Sequence, residues 1–445
     1  MHIGGWFQYD TVWWTESGPM RAAPGKFVAP KGGPASGVAP GGIGDLQDGT
    51  FFRRVRPFLE GTFWENFEYR FILALDNVQF STTGISEFWI AMNNIPGIGT
   101  LRVGHVRSVN GFEAGMSSSS RGATFMERSS YAEAIELNQQ LTTGLWVNKT
   151  LFDEHATCSF SAYRPDNAQF SGSFFGDGQW GLGGRATALP LYECDGRHML
   201  HLGTSWFWRS GTNNISTSPD RTLQLRTRPE LRDDVPAASA TGTQLVPNGN
   251  SNRMIDTGVI AAQSDWFVGT ELLYIRGPLS IQAEFGWNFV DHAIGFAPAG
   301  VVLTPALATP TSYTFDGGYI QIAYTLTGEH RSYKKQYATL SRYYFGERGP
   351  FTSAWFVRDE NGHLNWGWGA WEIAARYSYV NLNDGVGASR IQGGAMDGIS
   401  AGLNWYLSSN LMMMFDYIYD HRYQVPAGTV PGYTSGFGVQ VQFLF

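Results

Sequence analysis

The last nine residues restrict the fold of this chain more than any other segment. Phe437, Val439, Val441, Phe443 and Phe445 alternate with Gly438, Gln440 and Gln442, and only Leu444 interrupts the pattern. Successive side chains of a strand point to opposite faces, so this segment has one face suited to hydrocarbon and one suited to water. It is also long enough to cross a bilayer as a tilted strand. The competing reading is an edge strand of a soluble sheet.

The same period recurs along the chain. Leu279, Ile281, Ala283, Phe285 and Trp287 oppose Ser280, Gln282, Glu284 and Asn288. Trp371, Ile373, Ala375 and Tyr377 oppose Glu372, Arg376 and Ser378, and Leu411, Met413, Phe415, Tyr417 and Tyr419 oppose Asp416, Asp420 and Arg422. The polar face carries charges of both signs, which hydrocarbon does not accept, so that face belongs to water. Composition agrees. Aromatics make up 15% and charged residues 16%, the latter against roughly 25% in soluble proteins. The longest apolar runs, 71–75 and 411–415, fall far short of the ~20 residues of a membrane-spanning helix.

Connections are of two kinds. Short turns fall at 64–67, 96–99, 152–155, 194–198, 276–278 and 408–410, and between them lie long polar or Gly/Pro-rich stretches. Short turns on one rim and long loops on the other are the asymmetry of outer-membrane barrels. The expected fold is all-β: one transmembrane antiparallel β-barrel domain over residues 1–445, with about sixteen strands and both chain ends on the short-turn side. Its long outer loops are expected at about 15–50, 110–140, 210–264 and 290–315. Two stretches, 328–369 on the short-turn rim and 222–229 within a long loop, each offer a further hairpin and an eighteen-stranded alternative. The numbering is expected to start at or near the mature end.

The formal charge is −7 and the isoelectric point about 5.7, which excludes a generally basic surface and with it nucleic acid as a partner. Basic residues are lopsided, with 26 Arg and five Lys. Arg54, Arg56, Arg70, Arg102, Arg185 and Arg376 fall on polar strand faces, together with Asp76, Glu284, Glu372 and Asp416. Such charges either pair with one another to hold the wall or create a field across a lumen. Cys158 and Cys194 fall near the same end of neighbouring strands, leaving a disulfide and two free thiols both open. No histidine spacing indicates a metal, no cofactor is expected, and the outward faces offer no nucleophile–histidine pair for an enzyme. Arg226 and Arg228, flanking Thr227, read as solvated loop charge, with a solute site in the long loop as the alternative.

A terminal strand ending in Phe resembles the closing strand of bacterial outer-membrane barrels. Several segments, in order across residues 52 to 445, together resemble the phosphate-selective porin O and P family. They are Phe52-Arg53-Arg54-Val55-Arg56, Leu101-Arg102-Val103-Gly104, Phe125-Met126-Glu127-Arg128-Ser129, Arg226-Thr227-Arg228-Pro229-Glu230, Ser280-Ile281-Gln282-Ala283-Glu284-Phe285, Trp371-Glu372-Ile373-Ala374-Ala375-Arg376-Tyr377 and Gly402-Leu403-Asn404-Trp405-Tyr406. The resemblance implies a sixteen-stranded barrel, usually trimeric, in the outer membrane of a Gram-negative bacterium, with a third loop folded inward to narrow the pore. It also implies anion-preferring arginines at the constriction, matched here by Arg53, Arg54 and Arg128. Arg56 shares a face with Arg54, whereas Arg53 and Arg54 share one only if a bulge intervenes. The family's lysine ladder is absent, because five Lys cannot build it.

The expected function is passive diffusion of small hydrophilic solutes, with a lean towards anions. Outer-membrane lipid, small anions or other polar solutes, and a homotrimeric assembly are the expected partners. The alternative is a structural or surface-lattice barrel whose lumen is plugged by its loops.

Overall fold

The computed structural model describes residues 1–22, 42–43, 46–75, 84–107, 110–116, 123–136, 141–164, 180–211, 222–232, 236–238, 245–247, 253–297, 310–341, 345, 352–356, 358, 362–364, 366–426 and 429–445. Sixteen strands close into one barrel. They are β1 (His2–Glu16), β2 (Gly49–Phe63), β3 (Phe67–Ala74), β4 (Gly84–Ile95), β5 (Gly99–Arg107), β6 (Leu141–Leu151), β7 (Ala156–Arg164) and β8 (Gly181–Glu193). There follow β9 (His198–Ser210), β10 (Val259–Arg276), β11 (Leu279–Ala297), β12 (Thr311–Thr325), β13 (Ala370–Asp384), β14 (Ile391–Tyr406), β15 (Leu411–Tyr423) and β16 (Gly432–Leu444). Every strand pairs antiparallel with its neighbours in the chain, and β16 returns to β1 from Trp6↔Leu444 to Glu16↔Thr434.

Closure leaves no sheet edge, which is what a spanning β structure requires where no water can satisfy backbone groups. The end of the chain completes it. Gly5 and Phe445 exchange backbone hydrogen bonds of 3.1 Å, and a Cβ at Gly5 would stand 2.9 Å from the Phe445 ring. Glycine is therefore what lets the terminal aromatic lie flat on β1. Along β16, Phe437, Phe443 and Phe445 are exposed on the outer face, whereas Gly438, Gln440, Gln442 and Leu444 turn inward. Leu444 breaks the polarity of its face but not the geometry.

The two doubtful stretches add no barrel strand. Tyr333–Lys334 pairs with Thr339–Leu340 in a small hairpin, and Arg226–Thr227 pairs with Ile255–Asp256. Residues 326–369 connect β12 to β13 on the rim where every other connection is a tight turn. Much of the long outer loop expected at 15–50, residues 23–41 and 44–45, lies outside the described residues.

Candidate functional site: the charged lumen

The arginines of β2 reach the inner face because of one irregularity. Gln8 pairs with Arg54 but Tyr9 pairs with Phe52, so Arg53 is an extra residue in β2. A bulge of this kind re-aims a side chain. Arg53 and Arg54 are consequently both buried while Phe52 faces outward. Arg54 Nη1 donates to Gln8 Oε1 at 2.6 Å, and Gln8 Nε2 donates to Gln442 Oε1 at 2.7 Å, tying the arginine to β1 and β16. The Arg54 guanidinium is repelled by Arg53, Arg56 and Arg128 and attracted by Glu127.

Arg128 comes from residues 110–136, which join β5 to β6. Inner-face carboxylates of distant strands hold this segment by its backbone. Glu284 of β11 accepts the N–H groups of Phe112 and Glu113 at 2.6 and 2.9 Å, and Asp416 of β15 accepts that of Met126 at 2.6 Å. Tyr131 fixes it sterically. Its side chain is 1% exposed and occupies a hollow left by three inward glycines. A Cβ on Gly286 would stand 2.6 Å from the Tyr131 hydroxyl, and one on Gly317 or Gly269 would stand 3.2 or 3.4 Å from Tyr131 atoms. Residues Ala132–Glu136 form a short helical turn, and 137–140 lie outside the described residues.

Charges in this segment are strongly coupled to their surroundings. Arg53 donates to both carboxylate oxygens of Glu127, and Arg232 Nε lies 3.3 Å from one of them, Oε2. Burial opposes ionisation of Glu127, but Arg53 and then Arg232 outweigh it and hold the carboxyl well below the usual range. Burial likewise opposes ionisation of Glu133, yet Arg228, Arg253 and Arg232 bring it down to about 2. Burial and then Arg107 push the Arg128 guanidinium down, which still leaves it protonated at neutral pH. Glu136 moves the other way, raised by burial and then by Glu284, Glu113 and Glu271.

The two halves of the wall differ. On β2, β3 and β5 the inner face carries Arg54, Arg56, Arg70, Arg102 and Arg107. Arg70 is bonded to Glu60 at 2.9 and 2.6 Å, and Arg102 stacks 3.9 Å from the Trp89 ring centre. On the opposite half, arginines are absorbed by carboxylates and carbonyls. Arg185 donates to Glu271 at 2.7 Å and to the Ala338 carbonyl at 2.8 Å, and Arg209 is paired with Asp265. Arg376 lies 2.7 Å from Glu230 and 3.5 Å from Glu113. Glu230 also accepts the Ser130 N–H at 2.7 Å and the hydroxyls of Ser378 and Ser400. Glu372, expected among the wall charges, accepts from the Asn404 amide at 3.0 Å and the Tyr406 hydroxyl at 3.2 Å.

Three expectations need correction or limit. Cys158 and Cys194 are both free and exposed, Cys158 on the outer face of β7 and Cys194 in the turn after β8. Arg228 is not solvated loop charge: its N–H donates to Glu133 at 3.0 Å beside the fully buried Thr227. Asp76 lies outside the described residues. Sequence reasoning passed over Glu127, Glu230, Arg107 and Tyr131 as functional positions. Two of these sit inside segments already singled out, Glu127 beside Arg128 and Glu230 after Arg228-Pro229, so a buried partner for each arginine was the available signal.

A closed sixteen-stranded antiparallel barrel with a lipid-suited exterior and a charged interior is a porin of the bacterial outer membrane. The chain belongs to the phosphate-selective porin O and P family, whose model matches residues 40–445. Porin O of Pseudomonas aeruginosa is 24% identical over 422 residues, covering 90% of this chain and 83% of that protein. An uncharacterised protein of Caulobacter vibrioides is 26% identical over 301 residues, covering 66% of this chain and 48% of the relative, so the chain spans about half that relative's length. The structure of OprB from Pseudomonas putida shares the fold, with a TM-score of 0.50 at 10% identity over all of this chain and 93% of that one. OmpT of Vibrio cholerae, in its trimer form, gives a TM-score of 0.49 at 10% identity over all of this chain and 98% of that one.

Proposed function

We propose that the protein is a passive, anion-preferring pore whose constriction is built by Arg53, Arg54, Arg56 and Arg128, with residues 110–136 acting as the inward-folded third loop. One observation carries the reading: the bulge in β2 turns two consecutive arginines to the same side, where Arg128 and Arg56 add to their field. Of these, Arg53 is tied up by Glu127 and serves to hold the loop, whereas Arg54 is bonded to the neutral Gln8 and retains its charge for the solute. Arg102 continues the positive wall towards the tight-turn rim, in place of the lysine ladder, whereas Arg70 is shared with Glu60 and Glu87. The description of the family as phosphate-selective agrees with an anion pore. A single barrel domain over 1–445 and a homotrimer in outer-membrane lipid, tested by cross-linking in detergent, belong to the same proposal.

The test is the reversal potential of the purified protein in a planar bilayer under a tenfold KCl gradient. A unit charge ~6 Å from the permeation path in a water-like medium is worth ~0.7 kcal/mol, which enriches anions and depletes cations by roughly threefold each. Arg54→Ala and Arg128→Ala are each expected to lower the Cl⁻/K⁺ permeability ratio by up to about tenfold on that estimate. A ratio near one in the native protein, unmoved by either change, removes these arginines from the constriction.

A second reading is favoured by how much chain is bonded to inner-face side chains. Besides 110–136, residues 224–232 and 331–340 are bonded to or packed against the wall through Asp420, Arg185 and His201. A barrel filled in this way serves a structural role if it does not conduct. Stable insertion without single-channel steps selects this reading over the first.

A further inference from the structure

A cavity of about 740 Å³ lies between the inner faces of β1–β7 and the 333–340 hairpin, at the tight-turn end of the barrel. Small-molecule sites occupy roughly 300–1,000 Å³. Its lining narrows the occupant. Trp6, Trp89 and Trp146 of the wall and Tyr337 of the hairpin supply flat aromatic surface. The Arg102 guanidinium is fixed 3.9 Å from the Trp89 ring centre and 5.8 Å from that of Tyr337, to whose hydroxyl it is also hydrogen-bonded, and a stacked guanidinium keeps the rest of its planar N–H edge for an oxyanion. Arg102 Nε and Trp146 Nε1 are buried donors with no hydrogen-bond partner among the described residues. Two of the three carboxylates of the lining are engaged, and the third, Glu68, stands within electrostatic reach of Arg102 and Tyr337. Glu60 takes two bonds from Arg70, and Glu87 takes the Trp89 indole N–H at 3.2 Å with Arg70 and Arg107 at 3.9 and 3.8 Å. A sugar both donates and accepts, and would find Glu60 and Glu87 engaged, with Glu68 alone left to accept from it. A ring-bearing carboxylate needs only donors and ring faces.

We propose that this cavity is a binding subsite for small aromatic carboxylates, closed on one side by the re-entrant hairpin. The inference rests on the porin reading, since it names the class of solute the vestibule retains. The hairpin is positioned by Arg185 on the Ala338 carbonyl and by Asn148 Nδ2, which donates to the Gln336 carbonyl at 3.0 Å. The subsite is therefore a joint product of the barrel wall and the one long connection on the short-turn rim.

Benzoate is the probe, titrated calorimetrically into the purified full-length protein and added to either side of a bilayer during single-channel recording. Saturable binding is expected, with acetate and glucose at least tenfold weaker and current interruptions stronger from the tight-turn side. Arg102→Gln and Trp89→Leu should each weaken binding at least tenfold. Tyr337→Ala, outside the barrel ladder, should weaken it too and guards against a folding artefact; heat-modified gel mobility reports an intact barrel. Glucose binding as tightly as benzoate, or benzoate no tighter than acetate, overturns the proposal. A conducting channel without benzoate binding leaves the porin reading standing and removes the subsite; saturable binding without conductance does the reverse.

Discussion

Emptying the Tyr131 hollow tests how the candidate constriction is anchored. The same contact can be removed from either side. Tyr131→Ala deletes the ring, and Gly286→Val places a Cβ 2.6 Å from the tyrosine hydroxyl and 2.8 Å from the Phe267 ring, closer than real Cβ atoms come. Phe267 is fully buried and cannot retreat, so the tyrosine must leave. Truncating a large buried aromatic costs ~3–5 kcal/mol when the surroundings cannot collapse. Here the loop can relax and its backbone stays tethered to Glu284, Asp416 and Glu230, so a local cost of about 2 kcal/mol is the better figure. That corresponds to roughly a 30-fold rise in the open population of the loop. Hydrogen exchange resolved by peptide is the assay. Protection should fall by that factor across residues 124–136 while the β10–β12 ladder, whose strand pairing is unbroken, stays protected. Gly18→Ala is the control, because a Cβ there meets nothing within 4 Å. Unchanged loop protection in Gly286→Val, with the barrel intact, would refute the anchoring argument.

Three further outcomes follow from the same geometry. Arg185→Met should leave Glu271 buried beside His201 without its arginine and strip the Tyr337 and Ala338 carbonyls of their donor, costing ~3–5 kcal/mol locally; trypsin should then cut after Lys334 or Lys335, and continued resistance would count against the hairpin's attachment. Glu133 has a depressed folded-state value of about 2, so its stabilising contribution is complete above the unfolded value of roughly 4.3 and is lost as pH falls towards 2. The melting temperatures of native protein and Glu133→Gln should therefore differ by a constant amount between pH 5 and 7 and converge below pH 4; a difference that grows on acidification would contradict the assignment. Cys158 and Cys194 should both be alkylated without prior reduction, read as two added masses on the intact, detergent-solubilised protein, Cys194 reacting first from its turn.

Much of the fold was legible in local pattern. The alternation in 279–288 and 411–422 places Ser280, Gln282, Glu284, Asp416 and Asp420 on the inner face, where the structure has them. The bulge at Arg53 was foreseeable only as a condition on two adjacent arginines sharing a face; whether it exists depends on how β2 registers against β1. The 326–369 connection was legible as an oddity of length, but not as a hairpin inside the barrel, because its two short strands have little pattern of their own and are held by Arg185, His201 and Asn148. The cysteines show the limit of end-of-strand reasoning: neighbouring strands bring residues to one rim without bringing their side chains to one face.

What the sequence determines by itself is the wall. Lipid outside and water inside impose a period of two on every strand, tight turns pair each strand with the next, and the terminal Phe445 meets the glycines of β1 to close the ring. These are local or nearest-neighbour relations, so they can be read along the chain. What only the tertiary structure decided is the charge that remains inside. Arg53 meets Glu127 across 74 residues, Arg376 meets Glu230 across 146, Glu284 holds Phe112 across 172 and Asp416 holds Met126 across 290. Whether an arginine is neutralised or left to act on a solute depends on which distant segment the closed barrel brings against it, and closure is a property of all sixteen strands together.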